Sequence, residues 1–321
     1  MKNVDLIYDI FDQAAMIHYE HTGINYLDAL SEINKNLNNN EYHKKLDEKI
    51  IEKLEFIYKP ILEGNFLNEE VRLALELYII KGLKHINYPP NIMTPDFINY
   101  LFVVIINELF LDEDINIIDT NLGTGNMLGA IKNNFPNNMN LIGIENDIKL
   151  TEFANAFMDI QANEIKIFFQ DALNRIFEVS DVVVGDLASY DVEEGLKFDN
   201  ILYLNNIRYF PYLVISSRLD NIKDNGYFIY LVDNDFFSRK EMSVFKKYLD
   251  EHANLIGLIT LPLEIFKDDH RGKSIIIGKK TDNKSSEIMA IEVSGLDKES
   301  LNRSISKIRT MINKIKNMEE L

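Results

Sequence analysis

From residue 115 onwards, short runs of β-branched and aliphatic residues alternate with helical patterns, and this alternation constrains the fold more than any other feature. Strands that alternate with helices make right-handed crossovers and pack as a parallel sheet with helices on both faces. The last two runs are joined by a loop without a helix, which predicts an antiparallel final strand. We therefore predict a doubly wound, mostly parallel α/β sheet of seven strands. The candidate strands are Ile115–Asp119, Asn140–Glu145, Glu164–Gln170, Asp181–Asp186, Gly226–Val232, Leu255–Leu261 and Ser274–Gly278.

The segment before the sheet carries a different pattern. From Val4 to about Asn87 apolar residues recur at helical spacing, and Tyr88-Pro89-Pro90 forms a stiff break after it. At the other end, residues 298–317 show an amphipathic helical pattern whose polar face is rich in Lys and Arg. We predict an all-helical domain at residues 1–88, the α/β domain at residues 89–283, and a terminal strand and basic helix at residues 284–321.

Composition narrows the function. With 34 Lys and Arg against 51 Asp and Glu the formal net charge is −17, so a long-range field repels phosphate backbones and anionic lipids. Binding to nucleic acid would then need a local basic patch, and Arg271, Lys273, Lys279, Lys280 and the terminal helix offer one. Cysteine is absent, and no apolar run approaches membrane-spanning length, so we expect a cytoplasmic protein without a membrane contact.

A glycine loop after the first strand is the strongest candidate site. Asp119 ends that strand, and Thr120-Asn-Leu-Gly-Thr-Gly125 leads into a helix. Glycines at such a turn let the backbone approach a ligand beside the positive end of the helix. A dinucleotide site needs a third glycine three residues on, where this chain has Leu128 with Gly129 next. Asp119 instead suits the ammonium group of S-adenosylmethionine, and both nucleotide-like ligands fit the loop.

Two further acids end the following strands. Glu145, twenty residues after the loop, suits hydrogen bonds to ribose hydroxyls. Asp171 ends the third strand, where a carboxylate would accept from the amino group of adenine. No metal site is predicted, because His18 and His21 lie on one helix without a third ligand.

Residues from about Met93 to Lys280 resemble class I S-adenosylmethionine-dependent methyltransferases, and within them the N6-adenine DNA methylases. Thr94-Pro95 resembles the element that contacts the methionine end of the cofactor, and Asp119 to Gly125 resembles the cofactor loop. Segments 219–232 and 261–279 resemble the fifth strand and the closing strands. The resemblance implies S-adenosylmethionine as cofactor. It implies these cofactor-binding residues: Thr94, Pro95, Asp119, Gly123, Thr124, Gly125, Glu145, Asn146, Asp171 and Ala172.

The chain departs from the family at the catalytic motif. The family carries Asn/Asp-Pro-Pro-Tyr/Phe after the fourth strand, where the first side chain accepts from the target amine and the aromatic ring stacks on the flipped base. The matching stretch here is Asp186-Leu-Ala-Ser-Tyr190, without prolines and one residue longer. The resemblance implies Asp186 as the acceptor and Tyr190 as the stacking platform.

Three hypotheses follow. The first is an S-adenosylmethionine-dependent methyltransferase that acts on the exocyclic amine of a nucleic-acid base, with DNA implied by the resemblance. The second is a catalytically impaired, cofactor-binding interaction module, with the helical domain as its protein-binding surface, because the prolines and a target-recognition domain are missing. The third is methylation of RNA or of a protein amide, since the same chemistry serves other planar amines.

Overall fold

The computed structural model describes residues 2–85, 93–266, 272–281 and 287–317. The predicted domain borders at residues 88 and 283, the break at Tyr88-Pro89-Pro90 and the basic residue Arg271 lie outside these ranges. Two compact units are distinguished. One comprises residues 1–94, 122–134 and 146–169, and the other comprises residues 95–121, 135–145 and 170–321.

Eight strands are present in the described part of the chain. They are β1 (Ile115–Asp119), β2 (Met139–Glu145), β3 (Ile165–Phe169), β4 (Ser180–Asp186), β5 (Ile222–Asp233), β6 (Asn254–Thr260), β7 (Lys273–Lys279) and β8 (Met289–Glu292). The described helices are α1 (Lys2–Thr22), α2 (Ala29–Asn34), α3 (Glu48–Glu63), α4 (Asn68–His85), α5 (Asp96–Leu109), α6 (Asn126–Asn133), α7 (Ile148–Ile160), α8 (Ile201–Leu204), α9 (Phe210–Arg218), α10 (Met242–His252) and α11 (Lys298–Asn317).

The strand order is β3-β2-β1-β4-β5-β7-β6-β8. Strands β2, β1, β4 and β5 pair in parallel, whereas β7 is antiparallel to both β5 and β6. The predicted α/β class, the parallel sheet and the antiparallel final strand are confirmed. The sheet exceeds the predicted seven strands by one, because β8 adds to the edge of the sheet in parallel with β6.

The first compact unit is mainly helical, as predicted for the N-terminal region. Helix α1 packs against α2, α3 and α4, and α4 also packs against α6 and α7. The apolar face of α1 is buried at Ile7, Phe11, Ala14 and Ile17, which are four of the positions whose spacing predicted this helix. Burial of that face stabilises the helix far more than helix propensity does.

The second compact unit contains most of the strands, and its terminal helix α11 packs against α5. Ile308, Ile312 and Ile315 of α11 are buried, so the predicted amphipathic face is confirmed. Part of the basic face is engaged as well. Arg309 Nε lies 2.9 Å from a carboxylate oxygen of Glu108, and Lys316 Nζ donates to the carbonyl groups at the end of α5.

The prediction was wrong at the start of the fifth strand. Helix α9 ends at Arg218, a 3-10 turn follows, and β5 begins at Ile222 rather than at the predicted Gly226. Asn225 adopts a left-handed φ of 64°, and the register against β4 shifts in this region. A Cβ at Gly226 would lie 2.8 Å from the carbonyl oxygen of Asp181, so the extended start of β5 requires a glycine there.

No helix within the described ranges combines the length and the apolar character that crossing a bilayer requires.

Candidate functional site

Three predicted acids lie at one edge of the sheet in the second unit. Asp119, Glu145 and Asp186 are the last residues of β1, β2 and β4. These strands are neighbours and run in parallel, with Asp119 in register with Gly143 of β2 and Val184 of β4. Their carboxyl ends therefore meet at the edge where open α/β sheets bind ligands.

Asp119 has one carboxylate oxygen for which the described residues supply no hydrogen-bond partner. The side chain is 1% exposed, and its Oδ1 accepts a hydrogen bond of 3.0 Å from the Asn121 amide. Within the described chain, Oδ2 is buried and receives no hydrogen bond. Burial raises the pKa of Asp119 to about 7, and the charges of Glu145 and Asp186 act in the same direction. A cationic ligand group that donates to Oδ2 would pair with this carboxylate and favour its ionised form.

Asp171 starts a short turn beside the end of β2. The Gln170 amide donates to the Glu145 carbonyl oxygen at 2.9 Å, and the Asp171 Oδ1 accepts from the Leu173 amide at 2.8 Å. Ala172 within the turn is buried. The two residues predicted to bind ribose and adenine therefore lie on adjacent, hydrogen-bonded segments of backbone.

Residues 122–125 of the glycine loop belong to the first unit, and residues 120 and 121 belong to the second. Gly123 and Gly125 have φ values of 56° and 80°, in the left-handed region that favours glycine. Gly125 precedes the first turn of α6, and no side chain caps that helix. Thr124 is buried, and Asn126 accepts a hydrogen bond of 2.7 Å from Arg72 Nη1. Both glycines thus hold backbone conformations in which a residue with a Cβ would be strained.

The remaining predicted cofactor residues are Thr94, Pro95 and Asn146. Pro95 precedes α5, and its carbonyl oxygen accepts from the amides of Ile98 and Asn99. Thr94 is half-buried, whereas Asn146 is exposed. Thr94 and Asn146 belong to the first unit, and Pro95 belongs to the second.

Asp186 is paired with a lysine that the sequence indicated only as part of a basic group. Lys273 Nζ donates to the Asp186 Oδ1 at 2.7 Å and lies 3.8 Å from the Asp233 Oδ1. The side chains of Lys273 and Asp186 are each 19% exposed. The amino group of Lys273 thus already donates to the Asp186 carboxylate. The resemblance assigns the same carboxylate as the acceptor for the amine of the substrate.

Tyr190 stacks on a neighbouring ring and is partly exposed. That ring belongs to buried Phe210, with ring centroids 4.6 Å apart and planes inclined by 19°. Tyr190 is 47% exposed, and burial of its remaining surface raises its pKa to about 12, with the charge of Asp171 adding to the effect. The hydroxyl is therefore protonated at neutral pH.

Hydrogen bonds fix the loop that lacks the family's prolines. Ser189 Oγ donates to the carboxylate of Asp235 at 3.0 Å, and the Tyr209 hydroxyl donates to the same carboxylate at 3.0 Å. The Phe210 amide donates to the Tyr190 carbonyl oxygen at 2.9 Å. Side chains that follow β5 thus define the conformation that two proline rings would otherwise restrict.

Histidine serves a structural role in the first unit, as its isolated position on a helix indicated. Buried His18 contacts the Asn36 Oδ1 through Nε2 at 2.9 Å, and the Tyr58 hydroxyl donates to the same oxygen. Among the residues described here, no group of three or more His, Cys, Asp or Glu is placed to hold a metal ion.

The chain has the fold of a solved structure described as a class I S-adenosylmethionine-dependent methyltransferase. That structure, of a candidate methyltransferase from Listeria monocytogenes, matches with a TM-score of 0.82, 24% identity, and coverage of 97% of this chain and 99% of that one. A type I restriction-modification methyltransferase subunit from Streptococcus thermophilus superposes with a TM-score of 0.65 at 15% identity, covering 94% of this chain and 74% of its own.

Sequence comparison identifies a more specific relative. Residues 5–83 match the family model described as the YtxK N-terminal helical domain. The uncharacterised protein YtxK of Bacillus subtilis strain 168 is 27% identical over 270 residues, which cover 82% of each chain.

Proposed function

We propose that the protein binds S-adenosylmethionine at the sheet edge formed by Asp119, Glu145 and Asp171, and transfers its methyl group to an exocyclic amine of a nucleic-acid base. The observation that carries the proposal is the buried Asp119 carboxylate, for whose Oδ2 the described residues supply no hydrogen-bond partner. An uncompensated buried carboxylate is costly, and a ligand ammonium is the group that offsets this cost. The functions of Thr94, Pro95, Gly123, Thr124, Gly125 and Asn146 in cofactor binding stay predictions.

The three carboxylates fit the hydrogen-bond donors of the cofactor. Asp119 would accept from the ammonium group, Glu145 from the ribose hydroxyls, and Asp171 from the adenine amino group, with buried Ala172 beside it. When bound, the cofactor supplies an electrophilic methyl group on a sulfonium.

Two side chains would serve the acceptor. Asp186 would accept from the substrate amine, for which it exchanges or shares the hydrogen bond from Lys273. Tyr190, which is partly exposed, would stack on the base. The S. thermophilus relative is a restriction-modification subunit, which supports DNA as the substrate class through the shared fold.

Titration calorimetry with S-adenosylhomocysteine tests cofactor binding. Wild type should bind, Asp119→Asn should bind at least tenfold more weakly, and Asp112→Asn, which removes an exposed acid from the same unit, should match wild type. Absence of wild-type binding at millimolar ligand contradicts the proposal.

A second candidate is a cofactor-binding interaction module without turnover, and the Lys273 amine on Asp186 favours it. Labelled S-adenosylmethionine offered with DNA, RNA and protein pools separates the two functions. Turnover on DNA that Asp186→Ala abolishes supports the methyltransferase, and label in RNA or protein identifies those pools as substrates instead. Binding without turnover on any pool supports the module.

Partner binding is proposed on two surfaces. The part of the α11 basic face that lies outside the contacts with Glu108 offers a weak, salt-dependent contact for nucleic acid. Helix α3 exposes Phe56 and Leu62, which suits a protein partner of the helical region. A cytoplasmic location stays a prediction from the absence of cysteine.

A further inference from the structure

Arg218, at the end of α9, is a buried guanidinium in the second unit. It is 1% exposed, and its Nη2 donates to the carbonyl oxygen of Asn174 at 2.5 Å. Its Nε and Nη1 are buried, and the residues that the structure describes supply no acceptor for them. Burying a guanidinium with one hydrogen bond is expensive, and a neutral side chain of similar length would fill the space at lower free energy.

The carbonyl that Arg218 contacts belongs to Asn174, whose amide closes the turn at Asp171. The Asn174 amide donates to the Asp171 carbonyl oxygen at 3.0 Å, and the Leu173 amide donates to the Asp171 Oδ1 at 2.8 Å. Gln170 Nε2 also donates to the Asn174 carbonyl oxygen, at 3.2 Å, while its amide bonds to the Glu145 carbonyl oxygen. The Arg218 contact therefore lies on a hydrogen-bonded path between the two acids proposed to hold ribose and adenine.

The charge of Arg218 acts on the same turn. Burial lowers the pKa of Arg218, and the negative charges of Asp171 and Asp220 oppose that effect. The guanidinium and the Asp171 carboxylate attract each other, and Asp171 lies between the end of β3 and the start of β4.

A neutral anchor lies one turn further along the chain. Asn221 is buried and donates from Nδ2 to the carbonyl oxygens of Ile176 and Glu178, at 3.0 and 2.7 Å. It stabilises the segment that leads into β4 without touching the Asp171 turn. The segment that leads into β4 is thus held by the neutral amide of Asn221, whereas the turn at Asp171 is held by the charged Arg218.

We propose that Arg218 is a positioning residue for the adenine end of the cofactor site, which it holds by fixing the carbonyl of Asn174 and thereby the carboxylate of Asp171. This inference rests on the proposed cofactor binding. Arg218 does not touch the ligand, and its effect is transmitted through the turn.

The test compares Arg218→Met, Arg218→Lys and Asn221→Ala in the full chain. S-adenosylhomocysteine should bind about tenfold more weakly to Arg218→Met and with intermediate affinity to Arg218→Lys, whose ammonium reaches towards the same carbonyl. Asn221→Ala, although destabilised, should bind within twofold of wild type. Equal losses for Arg218→Met and Asn221→Ala, or no loss for Arg218→Met, would overturn the inference.

Two readouts separate positioning from general destabilisation. Methylthioadenosine lacks the amino-acid end of the cofactor. Its affinity should fall in Arg218→Met by the same factor as that of S-adenosylhomocysteine, and it should be unchanged in Asp119→Asn. In the ligand-free protein, hydrogen exchange of the Leu173 and Asn174 amides should accelerate in Arg218→Met and not in Asn221→Ala. Unchanged exchange at these amides contradicts the inference. Failure of wild type to bind either ligand overturns the proposed function, and the inference with it.

Discussion

Replacing Asp119 with Asn should stabilise the ligand-free protein above neutral pH. The carboxyl has a pKa of about 7 in the folded chain, against an ordinary value of 3.8, because burial disfavours its charge. A difference of about 3 in pKa corresponds to ~4 kcal/mol of folding free energy. The Asn side chain retains the hydrogen bond from the Asn121 amide and carries no charge.

The sign of the effect follows from proton binding. Between about pH 4 and pH 7 the folded state holds a proton on Asp119 that the unfolded chain releases, so wild-type stability falls as pH rises through this window. At pH 4 residue 119 is neutral in both folded proteins. Each protein then buries a donor group there, which is the carboxyl hydroxyl in wild type and the amide NH2 group in the variant. The stability of the variant relative to wild type should therefore be near zero at pH 4 and should grow to about 2–4 kcal/mol at pH 8.

Urea unfolding at pH 4, 5, 6, 7 and 8 measures this difference. Asp112→Asn serves as the control, because it removes an exposed acid and should track wild type across the series. Parallel stability curves for Asp119→Asn and wild type, or a variant that is less stable at pH 8, would refute the burial argument.

Substitutions at three other residues test separate features. Burial lowers the pKa of His18, so wild-type stability should fall as pH drops below about 6.5, where the unfolded chain takes up the proton first; His18→Gln should flatten this fall in urea unfolding at pH 7.5 and 5. Gly125→Ala should lose roughly 1–2 kcal/mol of stability from its left-handed φ, and a neutral effect in the same assay would contradict that reason. Lys273→Met removes the cation between Asp186 and Asp233 and should cost about 1–3 kcal/mol; Lys273→Arg should recover most of it, and equal unfolding midpoints for all three proteins would disprove the pairing.

Local patterns predicted much of the fold. The ends of β1, β2 and β4 were predictable, because aliphatic runs that stop at an acid mark both a buried strand and its polar end. The sheet edge followed from the parallel order of strands. Positions in the glycine loop were predictable because a left-handed backbone selects glycine.

Contacts between distant segments were not predictable. Lys273 meets Asp186 only because β7 is antiparallel to β5 in one particular register, with Asp233 opposite Lys273. Neither the register nor the neighbouring strand is encoded by spacing. The burial of Arg218 was not predictable either, because an arginine at the end of a helix is usually exposed to solvent.

The bonds of Ser189 and Tyr209 to Asp235 have a consequence for folding. Proline rings restrict a loop already in the unfolded chain, whereas Ser189 reaches a carboxylate 46 residues further along the sequence. The loop that carries Tyr190 can therefore become ordered only after β5 has paired with β4 and the turn that follows β5 has formed. The loop should therefore form late in folding and open early in unfolding. The amide of Phe210, which bonds to the Tyr190 carbonyl oxygen, should exchange with solvent at least as fast as the turn around Asp235 opens.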